Sequence, residues 1–172
     1  KVIYNDTLYG HYSEIDSGDH IWRYDAFNNI QEAVDNTALQ GQVYVAAGKY
    51  DLVEPVIIDK PLTLTGDITT PSNVEVNAPI LGNDRDCFQI RSNNVTLQGF
   101  LIHDAADNSD RNDGNAGIDI GQGRTPTAQP GLENISILKN KINNNAYGIY
   151  IYGAKNITIA NNEILNSLTA NI

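Results

Sequence analysis

Two stretches of the chain say nearly the same thing 22 residues apart, NISILKNKINNN from Asn134 and NITIANNEILNS from Asn156. Within each, apolar residues alternate as Ile135 and Ile137 do, over too few positions for a helix, so each unit opens with a strand. A period this short, holding two or three strands and tight turns, fits a solenoid whose rounds are built from strands. The α-solenoids need longer helical periods, which the sequence lacks. The expected class is therefore all-β, a parallel β-helix.

Earlier segments lie on the same frame. NVTLQGFLI puts Val95, Leu97 and Ile102 where the next coil has Ile135, Ile137 and Ile142, and the one after has Ile157, Ile159 and Ile164. PLTLTG places Leu62 and Leu64 in the same two leading positions, and FQIRS, GIDIG and GIYIY form a second face. The count is about four coils, with the turn before GIDIG swollen by an insertion. Equivalent residues of successive coils stack about 4.8 Å apart. Asn140 and Asn162 share one turn position, so their amides are expected to form a hydrogen-bonded ladder. Asn94, Asn134 and Asn156 open Asn-x-Ser/Thr triplets that match the glycosylation sequon. Their shared repeat position explains them as strand-opening chemistry without a glycan.

The N-terminal third follows different rules. DAFNNIQEAVDNTALQG reads as a short amphipathic helix with Asn29 at the cap, Glu32 completing a capping box, and Ile30, Ala33 and Val34 on one face. Laid across the first coil, it caps the sheet edges. Residues 1–26 form an arm that matches no pattern, and residues 27–172 form the repeat domain. The chain opens at Lys1, contains no Met and stops where another first strand would begin. It reads as a processed piece of something longer, truncated at the C-terminal end, with its last coil open to self-association.

Charge narrows the partners. Acidic residues number 21 against 11 basic, a net charge of −10, which repels nucleic acid and anionic lipid surfaces. No apolar run is long enough to span a bilayer, so no membrane insertion is expected. Cys87 stands alone and excludes an internal disulfide. Abundant Asn and scarce Lys suit an extracellular or cell-surface protein.

The run from Ile30 through VYVAAGKYDL and VIIDKPLTLTG to Gly66, with the repeats from Val95 to Ile164, resembles the pectin-lyase-like superfamily of right-handed parallel β-helices. The repeats are similar to its degenerate carbohydrate-binding and sugar hydrolase units, also seen in the periplasmic NosD type. The resemblance covers residues 27–167 and implies the fold and an association with polysaccharide. It does not imply one activity, since the superfamily includes lyases, hydrolases, esterases, epimerases, adhesins and tailspikes. Where pectate lyases carry an Asp and an Asp-His pair, this chain has Ala116 or Gly117, then Leu138 and Lys139. Pectinesterase and mannuronan epimerase motifs are also missing.

Two sets of residues remain as candidates. Asp104, Asp107, Asp110 and Asp113, in the loop HDAADNSDRNDGNAG, supply oxygen ligands of the kind calcium takes, without the spacing of an EF-hand. The bland alternative is a solvated acidic loop. With Val43, Phe88, Ile118 and Ile149 taken as inward, Tyr44, Gln89, Asp119 and Tyr150 form one outward column. Ala46, Arg91, Gly121 and Tyr152 form the next. Tyrosines beside an Asp and an Arg make a sugar platform, with ring faces against pyranose C–H groups. Two functions follow: a surface protein that associates with polysaccharide, or the N-terminal part of a calcium-dependent polysaccharide lyase or related enzyme. A purely structural surface solenoid or adhesin is the third.

Overall fold

The computed structural model describes residues 26–80, 85–105, 115–121, 131–168 and 172, together with the backbone of 2–3. In chain order the elements are β1 (Val2–Ile3), β2 (Ala26–Phe27), α1 (Ile30–Asn36), β3 (Gly41–Val45), β4 (Gly48–Asp51), β5 (Val56–Ile58), β6 (Leu62–Thr65) and β7 (Val74–Asn77). They continue with β8 (Phe88–Ile90), β9 (Val95–Gln98), β10 (Leu101–His103), β11 (Ala116–Ile120), β12 (Leu132–Leu138), β13 (Lys141–Asn143), β14 (Tyr147–Ile151), β15 (Ala154–Ala160) and β16 (Glu163–Leu165).

From β3 onward the chain visits three sheets in strict rotation, and each strand pairs in parallel with the strand three places later. Sheet A runs β15-β12-β9-β6-β3-β1-β2, sheet B β16-β13-β10-β7-β4, and sheet C β14-β11-β8-β5. The described residues thus form a mostly β, all-parallel stack of short strands with one α-helix, built as repeating rounds. Register carries the expected frame. Leu62, Val95, Ile135 and Ile157 are aligned, as are Leu64, Leu97, Ile137 and Ile159. In sheet B, Val76, Ile102, Ile142 and Ile164 align likewise.

Alternation turns these columns inward. Leu64, Leu97, Ile102, Ile137 and Ile142 are fully buried, and Phe88 meets Phe100 with ring centroids 5.5 Å apart. Each such side chain contributes about 1.5–3 kcal/mol of burial. The outward neighbours are mostly half-buried or exposed, giving the two-residue period that the sequence displays.

Turns are set by residues in the left-handed region. Asn94 (φ 56°) precedes the sheet A strand β9, Asn134 and Asn156 (φ 61 and 54°) lie within β12 and β15 just ahead of the inward Ile135 and Ile157, and Asp104 and Asn144 (φ 68 and 56°) follow sheet B strands. Asparagine tolerates this region because its short amide bonds locally. In both columns the side chains bond from round to round, Asn134 Nδ2 donating to the Asn94 amide Oδ1 at 3.1 Å and Asn144 Nδ2 to the Asp104 carboxylate Oδ1 at 2.7 Å. The sequon triplets therefore have a structural use. Buried beneath, Asn140 Nδ2 donates to Asn162 Oδ1 (3.1 Å) and to Leu97 O (3.2 Å), while its Oδ1 accepts from Phe100 N (3.1 Å).

The helix forms where expected. Asn29 Oδ1 accepts from Glu32 N at 3.2 Å, the forward half of the capping box, and Ile30, Ala33 and Val34 are buried. Its outer face has a second use: Gln31 Nε2 donates to Ile57 O (3.1 Å) while its Oε1 accepts from Ile57 N (2.7 Å). The amide thus stands in for a neighbouring strand along β5, the edge of sheet C.

One expected alignment is corrected. Val43 does not lie in the column of Phe88, Ile118 and Ile149; it pairs with Leu64 in sheet A, and Val56 takes the inward place in sheet C. Equivalent positions are 33 residues apart between Thr65 and Gln98, 40 between Asn94 and Asn134, and 22 between Asn134 and Asn156. With spacing this irregular, only strand pairing fixes which of two alternating runs belongs to which sheet.

Candidate functional site

Five of the six proposed sugar-platform residues gather on the outward face of sheet C. Gln89, Asp119 and Tyr150 are register partners, and their fourth member is Ile57, not Tyr44. Tyr44 instead stands on sheet A beside Thr65, with its hydroxyl donating to Gln42 Oε1. The next column holds Arg91 and Tyr152, on either side of Gly121. Its far member follows Ile58, so Asp59 takes the place assigned to Ala46.

The polar residues of this face are tied down. Asp119 is 5% exposed and Gln89 7%. Gln89 Nε2 donates to Asp86 Oδ2 at 3.2 Å, and Asp86 Oδ1 accepts from Ala116 N at 2.6 Å. Arg91 Nη2 donates to Asp119 Oδ2 at 2.5 Å, while Nη1 donates to Asp119 O (3.2 Å) and Ile90 O (3.3 Å). Pairing inside a poorly solvated site holds a guanidinium in one orientation. The Nε–H and one Nη2–H make no hydrogen bond among the described residues, and the side chain stays 18% exposed. Gly121 leaves no side chain between Arg91 and the exposed Tyr152 ring. Tyr147 and Tyr150 meet edge-on, centroids 5.4 Å apart, and stiffen the aromatic side of the face.

Of the proposed calcium ligands, Asp107, Asp110 and Asp113 lie outside the described residues. Asp104 is described, and both its oxygens are engaged: Oδ1 accepts from Asn144, and Oδ2 lies 3.0 Å from His103 Nδ1. Burial works against its charged form. The bonds from Asn144 and His103, with the charges of His103 and Lys49, outweigh burial and hold the carboxyl below its ordinary value. Its chemistry therefore fits a turn brace better than a free metal ligand. Among the described residues no group of three or more His, Cys, Asp or Glu side chains is arranged to hold a metal ion.

Two features escaped sequence reasoning. His103 sits between carboxylates, with Nε2 3.2 Å from Glu75 Oε1 as well as its contact with Asp104. Glu75 lies 28 positions upstream in a different round, so only the pairing of β7 with β10 brings it near. The second is a depression of about 380 Å³ between the start of α1 and the β4–β5 turn, lined by Asn28, Gln31, Lys49, Asp51 and Glu54. Cys87 is inert here: burial, with the charges of Asp86 and Asp104, pushes its thiol up, against a contact from Sγ to His103 O at 3.5 Å.

The fold and this face define a class, a repetitive all-parallel β protein with an aromatic and guanidinium surface on one sheet. No protein-family model, curated protein or solved structure matches the chain. Among the described residues no helix is long and apolar enough to cross a membrane.

Proposed function

We propose that the protein is a right-handed parallel β-helix of the pectin-lyase-like kind, working outside the cell or at its surface in association with polysaccharide. The observation that carries this is Arg91, held by Asp119, in one column with the exposed Tyr152 and with only Gly121 between them. Bound glycan would stack a ring on Tyr152 and give Arg91 a carboxylate or paired hydroxyls. Asp119 and Gln89, being buried, position the face and do not touch the ligand. Binding is favoured over turnover because Asp119, the carboxylate of its column, is ion-paired and so poorly placed as a general base. A polyuronate would approach a surface of charge −10, so its binding requires a bridging cation such as calcium.

Gel retardation tests this with acidic and neutral soluble polysaccharides, each with calcium and with chelator. Retardation by an acidic glycan, lost in Arg91→Gln/Asp119→Asn and weakened in Tyr152→Ala, is expected. The double variant replaces the ion pair by a neutral hydrogen bond and avoids a buried unpaired carboxylate, which alone would cost about 3–5 kcal/mol. Absence of retardation by every glycan removes the reading and leaves a structural solenoid or adhesin.

A further inference from the structure

Three buried side-chain polar atoms lack a hydrogen-bond partner among the described residues, and two of them, Asn77 Oδ1 and His103 Nε2, belong to register partners on sheet B. Asn77 is 9% exposed, and its Nδ2 donates to Asp51 Oδ1 on β4 at 2.5 Å. The two ends of an amide diverge, so Oδ1 is turned away from β4 toward the strand on its other side, β10, which carries His103. The His103 ring is fixed from its far side, where Nδ1 bonds to Asp104 Oδ2 at 3.0 Å. In the neutral ring that leaves Nε2 as the atom with the lone pair. Glu75, two residues before Asn77 and so on the same face, brings Oε1 to 3.2 Å from Nε2. Lys49 Nζ stands 3.6 Å from that oxygen, beyond hydrogen-bond length, on a side chain 56% exposed. Three acceptor atoms on adjoining strands therefore share one neighbourhood without a bonded donor.

We infer that Glu75, Asn77 and His103 form a site for a single first-row divalent cation such as zinc on the outward face of sheet B. Two ligand atoms of one such ion, each about 2.1 Å from it, stand about 3.0–3.4 Å apart. The 3.2 Å between Nε2 and Oε1 falls in that interval. A second proton on the ring would serve one of the acceptors, whereas a cation serves all three. The ligand types select the ion: an imidazole nitrogen with carboxylate and amide oxygens suits zinc and its first-row neighbours, while calcium and magnesium take oxygen alone. The surroundings are those of a metal-binding histidine. Asp104 orients the ring through Nδ1 and is itself held by Asn144 Nδ2 at 2.7 Å, which makes Nε2 the better ligand. Asp51 holds the amide of Asn77 in the same way. The side chains of His103 and Glu75 are 19% and 31% exposed, so an ion enters from solvent and water completes its coordination. Lys49 opposes the ion, but its exposed chain can swing clear, and a net charge of −10 favours cations at long range. Only two of the ligands are His or carboxylate side chains, so the site is smaller than the groups of three that the described residues lack. It rests on no part of the glycan reading.

Calorimetric titration of the chelator-treated full chain with zinc chloride tests it. The wild type is expected to take up one zinc per chain, and saturating zinc to raise its melting temperature. Glu75→Gln keeps the shape of the side chain and removes its charge, and it is expected to bind at least about tenfold more weakly, as is Asp104→Asn, which acts through the ring. His103→Gln should abolish uptake. Urea midpoints in chelator show that each variant is folded, and any one folded variant suffices for the comparison. His11 and His20 are the only other histidines of the chain, and His11→Gln/His20→Gln should bind as the wild type does. Failure of the wild type to take up zinc, or wild-type affinity in Glu75→Gln and His103→Gln, overturns the inference and leaves His103 a bridge between two carboxylates. Loss confined to the His11/His20 variant also overturns it and moves the metal off sheet B. Arg91→Gln/Asp119→Asn should leave zinc uptake unchanged, so the glycan reading and this one fail separately.

Discussion

Replacing Asn140 by Ala isolates the part of this fold that packing alone does not supply. The side chain is 2% exposed and spans rounds: Oδ1 accepts from Phe100 N, and Nδ2 donates to Leu97 O and Asn162 Oδ1. Alanine leaves the Phe100 N–H and the Leu97 carbonyl buried with fewer partners. An orphaned buried polar group costs about 1–3 kcal/mol. Two such groups and the lost amide contact, partly relieved by relaxation, come to about 3–4 kcal/mol. That is a large share of a typical stability of about 5–15 kcal/mol. At about 2–4 °C per kcal/mol for a domain of this size, the melting temperature should fall by roughly 10 °C. Urea unfolding followed by circular dichroism measures it, with the slope m unchanged so that the shift in midpoint reads stability. The exposed Asn134 provides the contrast: Asn134→Gly keeps the left-handed backbone and loses only two exposed bonds, to Asn94 and from Asn156, so it should cost less than about 1 kcal/mol. If Asn140→Ala falls within 1 kcal/mol of the wild type at equal m, the amide is not satisfying buried backbone and the reasoning is wrong.

Other expectations are direct. Asp67 accepts from Thr69 N, Thr69 Oγ1, Thr70 N and Asn73 Nδ2, and these bonds lower its carboxyl to about 2. Its folded value lies below the unfolded one, so its stabilisation is present above about pH 4 and lost as pH falls toward 2. At so exposed a site it amounts to less than about 1 kcal/mol. An Asp67→Asn variant should flatten that limb of the stability profile, and an unchanged limb would refute it. A Cβ at Gly66 would lie 2.3 Å from Gly99 O and 3.2 Å from Phe100 Cδ1, so Gly66→Ala should lower the melting temperature, and a neutral result would mean the rounds separate easily. Gln31→Leu uncovers the backbone of β5, costing about 1 kcal/mol and raising aggregation in light scattering. Cys87 should react with a thiol reagent only as fast as the native state opens, so rapid labelling under native conditions would contradict its burial.

The sequence by itself determined what depends on local alternation and on residue type at turns. Ile135, Ile137, Ile142 and their counterparts 22 residues later fall inward because a strand turns successive side chains to opposite faces. Asn29, Asn140 and the sequon asparagines could be placed because caps and left-handed turns demand short amides. Only the tertiary structure decided what depends on which strand lies beside which. Val43 and Val56 both sit in alternating runs, and nothing local says that the first belongs with Leu64 and the second with Phe88. Tyr44 left the proposed platform for that reason, and Ile57 entered its column. The same holds for the pinning of Arg91 by Asp119, 28 residues away. With rounds of unequal length, hydrogen-bonded register across the stack, and not spacing along the chain, brings such groups together.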